Sequence, residues 1–254
     1  MTETTPRPPF VPPDGLVRLV RRRVLDAELA ALVSLTVEGG IPLVVAGGSA
    51  GERLDVRDAA AGALAAGGPL VPLSGAGEDF AWMPEAGELG WRSGGHATPA
   101  GPGAVMVARL EDGAADAVWG EAAHLAIRAL TVGYSLLATA DGASLQQVLG
   151  RLAEAPVSAI DDELSRLGVV LVLGPGPRVE IAHYLRPAAR DPGGHVQRLP
   201  PAALAAWNAT ARRYDHFAWG VVDELAGRAG RRPLAFEREQ AERAVAISSA
   251  ATGT

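Results

Sequence analysis

Apolar residues recur at Leu25, Leu29, Leu32, Val33 and Val37, a spacing that lays them along one face of a helix, and Gly39-Gly40 ends it. The period then changes. Residues 41–46 form an unbroken apolar run of strand length, followed by the turn Gly47-Gly48-Ser49-Ala50-Gly51 and a helix expected from about Asp55. Further strands are predicted at 70–73, 104–110, 134–139 and 169–173, and residues 74–103, rich in Gly and Pro, read as irregular connection. Ala122, Leu125, Ala126, Ala129 and Leu130 mark a helix stopped by Gly133. Ser144 is expected to cap a helix carrying Leu145, Val148, Leu149 and Leu152, and Ser158 with Asp161 a helix carrying Ile160, Leu164 and Leu167. The turn 174–177 leads into 178–184, whose alternation predicts an edge hairpin strand. Residues 200–247 read as two helices packed through Leu204, Trp207, Phe217, Val221, Val222 and Leu225.

Strands alternating with helices predict an α/β fold, a mostly parallel sheet flanked by helices, with ligands at the carboxyl ends of the strands. The expected organisation is a Pro-rich tail over 1–24, a core over 25–185 and a small helical appendage over 186–254.

Composition narrows the chemistry. With 254 residues, 48% of them hydrophobic, the chain can bury a full core. A net charge of −6 offers no field for nucleic acid or anionic lipid, so neither is an expected partner. Every basic residue is Arg, which excludes any mechanism needing a Lys amine, and the absence of Cys excludes thiolate chemistry and fits a reducing compartment. Residues 1–13 are polar and Pro-rich rather than apolar, and no apolar run reaches the roughly 20 residues of a bilayer span. A cytoplasmic protein without membrane insertion is expected.

The glycine turn has the position of a phosphate-binding loop. A working GxxxxGK[ST] loop wraps backbone N–H groups around phosphates, sets a Lys on the β and γ oxygens and puts a hydroxyl on magnesium. Here Glu52 stands at the second Gly, Arg53 at the Lys and Leu54 at the hydroxyl; sliding the register by one restores Gly51 but brings Glu52 to the Lys position. Gly47, Gly48, Ser49, Ala50, Gly51 and Arg53 remain as a residual phosphate site that holds nucleotide, if at all, backbone-first.

The segment 104–152 resembles the type II and type IV secretion ATPases, including pilus-assembly ATPases. Val105-Met106-Val107-Ala108-Arg109-Leu110-Glu111-Asp112 is similar to that family's Walker B strand, with Arg109 at the catalytic Glu. Residues 126–134 followed by Leu136-Leu137-Ala138-Thr139 resemble its helix, Gly-His turn and next strand, with Tyr134 at the His, and Asp141 stands where its His box has a His. The resemblance covers about residues 25–185 and implies a RecA-like P-loop core, ring assembly and protein partners, either further copies or an active secretion-type ATPase. It departs in an insertion between Asp112 and Glu121 and in lacking the family's separate N-terminal domain. With Lys, Glu and His all replaced, the resemblance implies no ATP hydrolysis, no resident cofactor and a role as scaffold, regulator or partner subunit; ATP binding without hydrolysis is the sensing alternative.

Gly47-Gly48-Ser49-Ala50-Gly51 also fits G-x-S-x-G, the nucleophile elbow, so a patatin-like hydrolase with Ser49 as nucleophile and Asp141 as base is a rival. Upstream Gly15 and Gly39-Gly40 make a poor oxyanion loop. His96, His124, His183, His195 and His216 show no metal-ligand spacing, and the run 214–219 is expected to pack on a helix.

Overall fold

The computed structural model describes residues 10–64, 70–73, 75–91, 103–190, 196–197 and 199–253. His96, His195 and the first nine residues lie outside that set.

The described residues begin with two helices, α1 (Asp14–Arg21) and α2 (Ala27–Glu38). Strand β1 (Leu43–Gly47) then leads into α3 (Ala50–Ala61), β2 (Leu70–Pro72), β3 (Ala104–Leu110) and α4 (Glu121–Arg128). Next come β4 (Ser135–Ala140), α5 (Leu145–Ala153), α6 (Asp161–Leu164), β5 (Val169–Leu173) and β6 (Val179–Tyr184). Two short strands, β7 (Ala189–Arg190) and β8 (Val196–Gln197), pair only with each other. The hairpin β9 (Ala202–Asn208) and β10 (Arg213–His216) follows, and α7 (Val222–Arg228) and α8 (Pro233–Thr252) complete the chain.

One eight-stranded sheet organises these elements in the order β10-β9-β6-β5-β1-β4-β3-β2. β5, β1, β4, β3 and β2 run parallel, and β6, β9 and β10 add on antiparallel. β1 lies at the centre, with Leu43 opposite both Leu137 and Val169. Because side chains alternate across a strand, Leu43 and Val45 enter one apolar cluster while Val44 and Ala46 enter the other. The first cluster is covered by α1, α2, α3, α7 and α8, the second by α4, α5 and α6. Both faces of the central strands are therefore dry, which explains why β1 and β5 read as continuous apolar runs rather than as alternating ones. Each buried Leu or Val there contributes about 1.5–3 kcal/mol.

The α/β expectation holds, and four local readings are corrected. The stretch 14–21, expected in the tail, is a helix that buries Leu16, Val17 and Leu19 against α3 and α8. The region 186–254, expected helical, begins its described structure with strands, and its last helix joins the main core through Phe236 and Ile247. Alanine-rich 202–211 has helical propensity, but the free edge of β6 offers a ladder of backbone hydrogen bonds, and tertiary pairing overrides propensity. β6 is consequently an interior strand rather than the edge. Finally, Ser158 does not cap α6; the Glu163 carboxylate accepts the Ile160 N–H from inside the helix at 3.0 Å. The Ser144 cap is present, its hydroxyl accepting the Gln147 N–H, and Gly133 ends its helical segment at φ +98°.

Candidate functional site

The carboxyl ends of β1, β3 and β4 converge on the glycine turn. Gly47 and Gly48 both adopt left-handed backbone, φ +72° and +52°. At Gly47 a β-carbon would lie 2.1 Å from the Leu173 carbonyl oxygen, so only glycine passes between β1 and β5. The Gly47 N–H donates to the Gly142 carbonyl at 2.9 Å, tying the turn to the segment after β4.

α3 starts earlier than its apolar pattern suggested, at Ala50, because Ser49 is its N-cap. The Ser49 hydroxyl accepts the Glu52 N–H at 3.3 Å, while Glu52 Oε2 accepts the Ser49 N–H at 2.7 Å and its hydroxyl at 2.8 Å. This reciprocal capping box puts a carboxylate at the helix N-terminus, where a phosphate loop would present its donors to an anion. The same Oε2 sits 3.0 Å from where a Gly48 β-carbon would be, so it lies against the loop. The backbone and hydroxyl donors of Ser49 hold the Glu52 carboxyl below its ordinary pKa.

One turn along α3, Arg53 folds back under the loop. It is 6% exposed. Its Nη1 donates to the carbonyls of Gly47 and Gly48, each at 3.3 Å, and its Nη2 pairs with Glu111 Oε2 at 3.0 Å. The loop thus turns two carbonyl oxygens toward a resident cation. Glu111 also accepts from Arg109 Nη1 at 3.2 Å, and Arg109 Nε lies 3.4 Å from Asp116. A further turn along, buried Arg57 donates to the Val107 carbonyl at 2.8 Å and pairs with Asp58. Thr139 Oγ1 donates to the Ala108 carbonyl, so β3 is stitched to α3 on one side and β4 on the other.

The structure thus brings Arg53 and the Arg109 region together through Glu111. It keeps the hydrolase pair apart in its bonding: Ser49 is engaged with Glu52, and Asp141 pairs with Arg151 at 2.5 Å in a surface bridge. Tyr134, at the position resembling the turn His, donates to Glu85 at 3.0 Å and packs edge-on against Trp82. Burial, with help from Glu85, raises its pKa to about 12, so it stays a neutral donor. Sequence reasoning missed Glu52, Arg57 and Glu111 as members of this arrangement. Arg53 and Arg57 at i, i+4 were the available signal, since that spacing puts both on one face of α3.

The run 214–219 is not one helix: 214–216 belong to β10, and Ala218 and Trp219 begin a 3-10 turn. Tyr214 Oη lies 2.9 Å from the Val24 carbonyl and 2.7 Å from that of Val179, and His216 Nε2 lies 2.9 Å from Asp26. His124 pairs with Glu163, and half-buried His183 on β6 is pushed below its ordinary pKa by desolvation. Among the described residues no group of three or more His, Asp or Glu side chains is placed to hold a metal ion, and no helix is long and apolar enough to cross a membrane.

No protein-family model matches the chain, and no curated protein matches it.

Proposed function

We propose that the protein is a non-catalytic relative of the secretion and pilus ATPases, with a RecA-like P-loop core retained as a cytoplasmic scaffold or partner subunit. The observation that carries this reading is the filling of the glycine loop from within: Glu52 takes the Ser49 donors of the α3 N-terminus, and Arg53 takes the loop carbonyls and is neutralised by Glu111. The strand order supports the same reading, because it sets the glycine loop after the central strand and the acidic end of β3 on the same edge, two strands away. A nucleotide would have to expel the Glu52 carboxylate and break the Arg53–Glu111 pair before meeting a phosphate-binding surface, and no Lys exists to replace them. With phosphate recognition closed, selection on such a core acts on its surfaces, where further copies or an active secretion-type ATPase would dock.

The test is a calorimetric titration of the full chain with magnesium and ATP, run beside a phosphate-release assay. Neither saturable heat nor released phosphate is expected. Saturable heat without release would replace the scaffold with a nucleotide sensor, and turnover would overturn the reading. Light scattering on the same sample tests self-assembly: a mass of several chains identifies the partner as further copies, whereas a single-chain mass assigns docking to a different subunit.

A further inference from the structure

A cavity lies away from the glycine loop, between the α1–α2 connection, the β9–β10 hairpin and α8, with a volume of about 900 Å³. Pockets of a few hundred to about 1,000 Å³ are the size that encloses small organic ligands. Its apolar lining comes from Leu25, Trp207 and Val245, on three separate elements. Small Ala244 and Ser248, one turn apart on α8, leave the space open.

Four arginines stand around this apolar body: Arg23, Arg178, Arg212 and Arg213. On a chain with net charge −6 that is a local reversal of sign. Two carboxylates share the cavity, and both are turned to other work. Asp26 caps α2 through the Leu29 N–H and pairs with His216, and Glu28 lies 3.6 Å from the same imidazole. Arg178 is also committed, its guanidinium 3.9 Å above the centre of the Trp207 ring, and Arg213 lies 3.7 Å from Asp215. The guanidinium groups of Arg23 and Arg212 have no hydrogen-bond or ion-pair partner among the described residues.

Backbone geometry singles out the same two residues. Arg23 and Arg212 have φ of +58° and +53°, and they are two of only four non-glycine residues with positive φ among those described. A β-carbon is disfavoured in that region, and residues held there cluster where a site needs them. Each sits on a different loop, yet both reach the rim of one cavity.

We propose that this cavity binds an organic anion with a flat apolar body and one sulfonate-, phosphate- or carboxylate-type head. The body packs on Trp207, Leu25 and Val245, and the head bridges Arg23 and Arg212, whose forked donors suit an oxyanion. The Arg178–Trp207 stack forms a rigid wall that holds the body edge.

The probe is 8-anilinonaphthalene-1-sulfonate, followed by its fluorescence, with the neutral N-phenyl-1-naphthylamine as the matched control for apolar binding alone. The anion should bind with one site and at least about tenfold more tightly than the neutral compound, the order of one charge-assisted contact. In Arg23→Ala/Arg212→Ala that advantage should vanish while affinity for the neutral compound is kept. Circular dichroism checks that the double variant folds, and Arg23→Gln/Arg212→Gln replaces it if it does not. Displacement by 1-naphthyl phosphate or by 1-naphthoate supports the site and reads which head it prefers. Equal affinity for anion and neutral compound, insensitivity to both double variants, or failure of both competitors would overturn the proposal. So would light scattering showing dimers that exclude the probe, since a second copy would then fill the cavity.

Discussion

Arg53 and Glu111, 58 positions apart, form a 3.0 Å ion pair with side chains only 7% and 15% exposed. The pair joins the start of α3 to the segment leaving β3, and it occupies the space between the glycine loop and the acidic strand end. Removing one member of a buried pair strands the other charge. Arg53→Ala should therefore destabilise the protein by about 3 kcal/mol in urea unfolding. Glu111→Gln should cost less, because the amide oxygen can still accept from Arg53. If both variants unfold at the parental midpoint, the pair is not what closes the loop.

Gly47→Ala should be the most damaging single-methyl change in the glycine turn. Its β-carbon would fall 2.1 Å from backbone oxygen rather than from a side chain that can swing away, and its φ of +72° adds strain. A loss of about 3 kcal/mol or more is expected. Gly51→Ala should be close to neutral, because a β-carbon added there would meet no atom within 4 Å, so the two melting curves compared settle the point.

Two histidines should give opposite pH dependences. For His216 burial alone would lower the pKa, but the hydrogen bond to Asp26 and the charges of Asp26, Glu28 and Asp215 outweigh it and raise it above 6.5. Its stabilising effect is full below the unfolded value and is lost as pH rises through the folded one. His183 is shifted the other way by desolvation, so it weakens the fold as pH drops below 6.5, when the unfolded chain takes up the proton more readily. The stability gap between parent and His216→Asn should therefore be larger at pH of about 5.5 than at about 8, and His183→Asn should gain relative to the parent at the lower pH. Urea unfolding at both pH values checks the signs.

Arg243 fastens α8 to α2. It is 4% exposed, donates to Ser34 Oγ at 2.7 Å, pairs with Glu38 and stacks 4.4 Å from the centre of the Phe10 ring. Arg231 pairs with the same Glu38 at 2.7 Å, so the carboxylate keeps one partner when Arg243 is lost. Arg243→Ala should still cost about 3 kcal/mol, and hydrogen exchange should show α8 opening before the sheet does.

The apolar runs of β1, β3 and β5, the glycine turn, the Ser144 cap and the helix stop at Gly133 are all written locally, in patterns a few residues long. For that reason the order of residues is enough to specify an α/β fold with a central parallel sheet and the loop at its carboxyl edge. The rest depends on contacts between distant parts of the chain. The hairpin β9–β10 forms because β6 presents an unpaired edge and because the carbonyls of Val24 and Val179 come within hydrogen-bond reach of the Tyr214 hydroxyl, partners up to 190 positions away. Likewise, Arg53 in the chain reads as a residual phosphate ligand at the Lys position of the loop. Only the folded chain brings Glu111 to it, setting a carboxylate and two carbonyls around the buried guanidinium, because a charge taken out of water is tolerated only where it is paired.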